Sequence, residues 1–225
     1  VVCHDAGAAN LIVEWLKDYT GDLRVCMEGP AKIIWEKHFP SGKLISINRV
    51  IKDSKTLLSG TGWGDLEHSA RIQAKKRSIK NIAVIDHWTN YRERFIRDGN
   101  EELPDVIIVS DNYAYRLAKN FPPSTLVIEL PNNYLQVEAK LASSERLRKC
   151  RVPIENILII AEPLRQKKKG KDTYLEFEAI EFLLNNLNKI NISSRAVNIL
   201  LRLHPSEPLV KYDNILKKYK DSVSK

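Results

Sequence analysis

Residues 56–85 constrain the fold more than any other stretch of the chain. Thr56, Leu57, Leu58 and Ser59 make a short apolar run, Gly60-Thr61-Gly62-Trp63-Gly64 a glycine-rich turn, and Asp65 and Glu67 stand in the first turn of a helical run that gives way to the strand-like Ile82-Ala83-Val84-Ile85. Two apolar runs joined by a helix predict a parallel pair with a crossover, the βαβ unit. Ligands of such sheets bind beyond the carboxyl ends of the strands. The reading therefore places Gly60, Gly62, Gly64 and Glu67 after the first strand, and Asp86-His87-Trp88 after the second, in one shared crevice.

Three glycines in five residues let the backbone turn sharply and approach a ligand closely. The helix start beyond them offers free N–H groups that favour an anion. Asp65 and Glu67 are equally at home there as ordinary first-turn acids, so both readings stay open for Asp65. Glu67 and Asp86 read as functional: an acid, a histidine and a tryptophan together at a strand end have no core role, and each suits sugar binding or proton transfer.

The same alternation extends in both directions. Residues 1–3 read as a buried strand that ends in His4-Asp5, followed by a small-residue loop through Asn10 and a helix over 11–19. His4 and Asp5 thus fall near the crevice, although the turn lacks GxGxxG and makes a weak case for a dinucleotide. Strands are expected at 23–27 and 43–48, with a helix from Pro30 to His38 between them. A short helix over 91–95 carries Arg92 and Arg94, which suit a carboxylate or phosphate as well as plain solvation. The unbroken apolar run at 105–110 is that of a strand buried on both faces. Asp111-Asn112 caps a helix to about Asn120, and 126–130 is another strand. A polar linking helix over 132–150 then leads to Arg151-Val152-Pro153, where the domain boundary is placed.

A second pattern follows: a strand at 156–161, a basic loop containing Lys167-Lys168-Lys169, an amphipathic helix at 175–190 and a strand at 198–203. That strand runs into Arg202-Leu203-His204-Pro205-Ser206-Glu207 and an expected helix to about Lys220. His204 stands at the strand's carboxyl end, Pro205 fixes the turn, and Ser206 can cap a helix whose amino end attracts phosphate. The fold expectation is α/β, with two Rossmann-like domains of parallel sheet at residues 1–150 and 151–225. The second is incomplete, because an open sheet of two strands is too small to stand alone. The chain is therefore read as the amino-terminal part of a longer protein.

The formal charge of +8 is uneven: residues 151–225 carry 14 Lys/Arg against 9 Asp/Glu, which leaves +3 for residues 1–150. A basic last third fits an anionic ligand or peripheral contact with an anionic membrane surface, or simply a soluble basic face. It does not fit nucleic acid, since the basic residues lack interleaved aromatics and match no readout motif. Cys3, Cys26 and Cys150 are odd in number and far apart, which argues against a disulfide framework or zinc site and for a reducing cytoplasm. No run approaches the ~20 apolar residues of a membrane span.

The order of elements, together with a second-domain strand ending Arg202-Leu203-His204-Pro205-Ser206-Glu207, resembles glycosyltransferases of the two-Rossmann-domain (GT-B) type. Within these, His204-Pro205 looks like the His-Pro motif of bacterial sialyltransferases and polysialyltransferases, whose histidine contacts the phosphate of CMP-sialic acid. The resemblance implies an inverting transfer from a nucleotide-sugar donor, used as substrate rather than cofactor, to a glycan or glycolipid acceptor. It implies that His204 and its neighbours Arg202, Pro205, Ser206 and Glu207 serve the donor phosphate. Glu67, or failing that Asp86 or Asp5, would be the base, Gly64-Asp65-Leu66-Glu67 being a loose counterpart of the family's acidic motif. His4, Gly60, Gly62, Gly64, His87, Trp88 and Arg92 would contact substrate, and no metal is called for, there being no DxD pattern. A UDP-sugar 2-epimerase and a non-catalytic nucleotide-sugar or polyanion-binding component of polysaccharide assembly are the alternatives.

Overall fold

The computed structural model describes residues 1–149, 156–161, 176–189, 198–204, 207–219 and 223–224. They fall into two compact units, Val1–Glu145 and Arg146–Lys225. The boundary expected at Arg151-Val152-Pro153 lies outside the described residues, as do Cys150 and the lysines at 167–169.

The first unit is a six-stranded, wholly parallel sheet. In chain order its elements are β1 (Val2–Cys3), α1 (Ala6–Leu16), β2 (Cys26–Met27), α2 (Gly29–His38), α3 (Ile47–Lys52), β3 (Thr56–Ser59), α4 (Asp65–Lys76) and β4 (Lys80–Val84). A 3-10 turn (Glu93–Phe95) and a small antiparallel hairpin, β5 (Ile96–Arg97) with β6 (Asn100–Glu101), intervene before β7 (Val106–Val109), α5 (Asn112–Ala118), β8 (Leu126–Glu129) and α6 (Asn133–Lys149). The strand order is β2-β1-β3-β4-β7-β8. This is a doubly wound, Rossmann-like α/β arrangement. The chain steps from β1 to β2 on one side, then crosses back to place β3 on the other side of β1.

Side-chain alternation along the strands explains the two layers. Val1, Cys3, Val84, Val106 and Ile108 face α1 and α2. Their neighbours point the other way: Val2, Cys26 and Leu57 pack with Val50, Ile51, Ala70 and Ala74 of α3 and α4, and Ala83, Ile85, Ile107 and Val109 pack with Phe95, Ala114 and Ala118. All four residues of β7 are buried, as its unbroken apolar run requires. Each such Val or Ile contributes about 1.5–3 kcal/mol relative to exposure.

Several boundaries differ from expectation for physical reasons. The small residues after Asp5 do not form a loop but start α1, where buried Ala8 and Ala9 let the helix lie close on the sheet. Residues 43–48 make only one bridge, Val25 with Leu44, before α3 begins. The strand expected at 23–27 shortens to β2. The β5-β6 hairpin turns on Asp98-Gly99, both at positive φ (49° and 76°), as a two-residue primed turn demands.

In the second unit, β9 (Asn156–Ile160), α7 (Glu176–Asn185), β10 (Asn198–Arg202), α8 (Asp213–Lys218) and β11 (Val223–Ser224) follow one another as alternating strands and helices, the strands forming a parallel sheet in the order β11-β10-β9. A third strand therefore joins the two expected. Ile180, Leu184, Ile199, Leu201, Tyr212 and Ile215 make its core. Residues 207–219 hold no helix that starts at the His-Pro turn: a 3-10 turn (Leu209–Tyr212) comes first, and α8 begins at Asp213. Pro205 and Ser206 lie outside the described residues. Among the described residues no helix is long and apolar enough to cross a membrane.

Candidate functional site

The reversal of strand order between β1 and β3 puts the ends of those two strands at a topological switch point, where open parallel sheets bind ligands. α1 and α4, which follow them, lie on opposite faces of the sheet. His4-Asp5 after β1 and Gly60–Gly64 after β3 therefore border the gap between the layers.

The two segments are bonded to each other. The His4 backbone N–H donates to Glu67 Oε1 at 2.7 Å. A Cβ on Gly60 would stand 3.1 Å from the same Oε1 and 2.9 Å from Cys3 Sγ, and one on Gly62 would stand 2.7 Å from the Asp5 carboxylate. Side chains at either glycine would push these segments apart. Glu67 is fully buried, so it does not line an open cleft as expected: its Oε1 is committed to the β1 backbone, while its Oε2 is buried without a hydrogen-bond partner among the described residues. Burial raises the Glu67 carboxyl pKa, with the His4 N–H opposing. Burial, together with Glu67, Asp5 and Asp86, holds the nearby Cys3 thiol protonated.

His4 Nδ1 lies 2.8 Å from Asp5 Oδ1. A carboxylate can only accept, so Nδ1 carries the proton and the lone pair of the neutral ring is left on Nε2. The bond to Asp5 raises the His4 pKa above its ordinary value, burial opposing. His4 borders a cavity of about 480 Å³, with Glu28, Ile47, Asp65, Leu66, Ser69 and Gln73 among its lining. A partly exposed imidazole fixed by a carboxylate at such a cavity is the arrangement of a general base or acid.

Asp86 joins the same group: its carboxylate lies against Gly7 at the start of α1 and 3.9 Å from Arg94. His87 and Trp88 do not. Both are exposed. His87 Nδ1 is 3.0 Å from Thr89 Oγ1, and Trp88 Nε1–H donates to Asp111 Oδ2 at 2.8 Å. Arg92 is held by Glu101 through two bonds of 2.5 and 3.0 Å, a surface pair that takes up the guanidinium face expected to meet substrate.

Three arginines hold the glycine-rich loop by its carbonyls. Arg71 donates to Gly60 O (3.0 Å), Arg94 to Thr61 O (3.1 Å), and Arg97 to Gly62 O (3.0 Å) and Gly64 O (3.4 Å). Arg94 also reaches Thr89 O at 3.3 Å, so one guanidinium ties the loop after β3 to the loop after β4. Arg71 is fully buried, and that burial lowers its pKa to about 10. Arg94 thus binds backbone rather than a phosphate. The roles of Arg71 and Arg97 have no motif in the sequence, because their partners are main-chain oxygens. Arg71 four residues after Glu67 on one helix face is the one signal available.

In the second unit His204 follows β10, and its backbone N–H donates to Glu207 Oε2 at 3.2 Å. The phosphate was expected at that helix start, but the Glu207 carboxylate occupies the turn itself. Glu207 is buried and paired with Lys211, which also bonds Glu176 at 2.7 Å, and Tyr212 OH lies 3.4 Å from Glu207. Glu207 is therefore a turn-holding residue rather than a substrate contact. Arg202 is exposed on β10. No set of three or more His, Cys, Asp or Glu among the described residues could hold a metal ion, and the described Cys3 and Cys26 are free and buried.

Compared with known proteins, the chain matches no family model, no curated protein and no solved structure. The fold and the site define a parallel α/β protein with a switch-point crevice built around His4, Asp5 and Glu67.

Proposed function

We propose that the protein transfers a sugar from a nucleotide donor to a hydroxyl of a glycan, as a two-domain α/β glycosyltransferase of GT-B type. The observation that carries this reading is the His4–Asp5 pair, 2.8 Å apart, at the edge of a cavity at the switch point. Glu28, Asp65, Ser69 and Gln73 supply the hydrogen-bonding surface a sugar needs. The acceptor hydroxyl gives its proton to His4 Nε2 while its oxygen bonds to the anomeric carbon of the donor. The bond from that carbon to the phosphate oxygen breaks, and the nucleotide leaves with the electron pair. Asp5 stabilises the resulting imidazolium. Glu67, buried and bonded to the His4 N–H, holds the β1 end in place instead of acting as base. His204, at the carboxyl end of β10, is assigned to the departing phosphate on the resemblance of His204-Pro205 to the sialyltransferase motif.

The test is a transfer assay with the full-length protein, a panel of nucleotide sugars and product analysis. His4→Ala is expected to lower turnover by about 10²–10⁴-fold while the chain still folds cooperatively. Release of an altered free sugar would indicate an epimerase, and saturable donor binding without product would indicate a non-catalytic component. Either result rejects transfer.

A further inference from the structure

We propose that Trp63 and Trp88 form a paired aromatic platform that binds the sugar rings of an oligosaccharide acceptor alongside the crevice, a reading that rests on the transfer function proposed above. Trp63 follows β3 and Trp88 follows β4, neighbouring strands of one sheet. Both are about half exposed (53% and 49%), and neither belongs to a core cluster. Loose tryptophans at loop tips would be unremarkable, but these two are fixed. The Arg94 and Arg97 guanidinium carbons stand 5.4 and 5.9 Å from the Trp63 ring centroid. Trp88 is anchored through its Nε1–H to Asp111, whose other oxygen caps α5 by accepting the Ala114 N–H at 2.8 Å. Arg94 joins the two loops by donating to both backbones, at Thr61 and Thr89. Two large aromatic surfaces are thus exposed on loops that one guanidinium ties together.

The neighbours say which ligand fits. His87, Thr89 and Asn90 are exposed around Trp88, and Gly64 and Asp65 around Trp63. A protein partner would call for a contiguous apolar patch. A flat aromatic face bordered by hydrogen-bonding groups instead suits a pyranose ring, which has an apolar C–H face and a hydroxyl edge. Trp63 adjoins Gly64 and Asp65, which line the cavity at His4, so the platform borders that cavity.

The experiment measures binding of the full-length protein to an array of immobilised neutral, uronic-acid and sialylated oligosaccharides, from disaccharides to hexasaccharides, with no donor present. Longer chains are expected to bind more tightly than disaccharides, and Trp63→Ala and Trp88→Ala are each expected to weaken binding by about tenfold. Trp63→Phe and Trp88→Phe, which keep an aromatic face, should retain most of it. Array binding without donor reads the platform alone and the transfer assay reads the base assignment, so a failure of one is seen separately from a failure of the other. No binding to any chain, or alanine variants that bind like the wild type, overturns the proposal.

Discussion

The Asp86 carboxylate lies directly over the α-carbon of Gly7, so closely that a Cβ built on that glycine would stand 1.6 Å from Oδ2. The end of β4 and the start of α1 are thereby locked together across the intervening strand ends, and the contact exists only because residue 7 has no side chain. Gly7→Ala gains helix propensity of roughly 1 kcal/mol but forces Asp86 off its position beside Arg94, an overpacking loss of about 1–3 kcal/mol. The net expectation is a lowered unfolding midpoint. Pairing it with Asp86→Ala should restore part of that loss in a double-mutant cycle. Strictly additive effects in denaturant melts would show that the two residues do not oppose each other.

Glu67 gives the fold a pH dependence of definite sign. Burial raises its carboxyl pKa, so the folded chain keeps a proton that the unfolded chain has released, and stability falls as pH rises from the ordinary glutamate value through the raised one. Glu67→Gln keeps an oxygen for the His4 N–H and removes the charge. It should flatten this part of the profile, as read from urea midpoints between about pH 5 and about pH 8. Glu67→Ala, which leaves the N–H without an acceptor and opens a void, should lose about 2–4 kcal/mol at every pH.

The His4–Asp5 pair predicts a slope of the same sign, beginning at the ordinary histidine value instead of the glutamate one. Its stabilisation is complete below the ordinary histidine pKa and is lost as pH climbs through the raised value of the folded state. Asp5→Asn should return the His4 ring titration, followed by NMR of the imidazole protons, toward the ordinary value. In a transfer assay it should move the acidic limb of the pH–rate profile to lower pH while lowering the maximum rate, because the base proposed at His4 works unprotonated. An unmoved ring titration would mean that Asp5 does not set the charge of His4.

Arg94 and Arg92 stand two residues apart and should behave differently. Arg94→Ala frees two carbonyls and leaves Asp86 without its cationic neighbour, a loss of about 3 kcal/mol or more in chemical denaturation. Arg92→Ala removes an exposed pair with Glu101 and should leave the unfolding midpoint within error of the wild type. Equal effects would show that loop bridging by Arg94 is not what holds the crevice.

The βαβ core was readable because burial on both sheet faces writes itself into the sequence as unbroken apolar runs, of which 105–110 is the clearest. The strand ends His4-Asp5 and Asp86 could be located for the same reason. Residues 43–48 misled because a short apolar run fits a packed loop as well as a strand: Ile45 and Ile47 contribute to the core beside Val50 and Ile51 without ladder pairing. The Asp98-Gly99 hairpin carried a recognisable turn signal that its polar flanks obscured. Arg71, Arg94 and Arg97 were the least legible, since a charged letter normally denotes solvent and their acceptors are backbone oxygens, which every residue has. Glu67 reads in the sequence as a functional acid lining a cleft, whereas its burial depends on the approach of β1, which local pattern cannot reveal.

The position of β1 between β2 and β3 also governs when the crevice comes into being. Val2 pairs with Cys26 on one side and with Ser59 on the other, and the second of these joins parts of the chain far apart in sequence. Such pairings form slowly, because the ordering of the intervening segment precedes any return from the contact. The bond from His4 to Glu67 spans a still longer separation. A folding intermediate that holds the β3-α4-β4 unit but has not yet inserted β1 would carry the glycine loop and the arginines with no imidazole beside them. Ligand competence is therefore expected to appear late in refolding, in the same kinetic phase as protection of the β1 amides from hydrogen exchange.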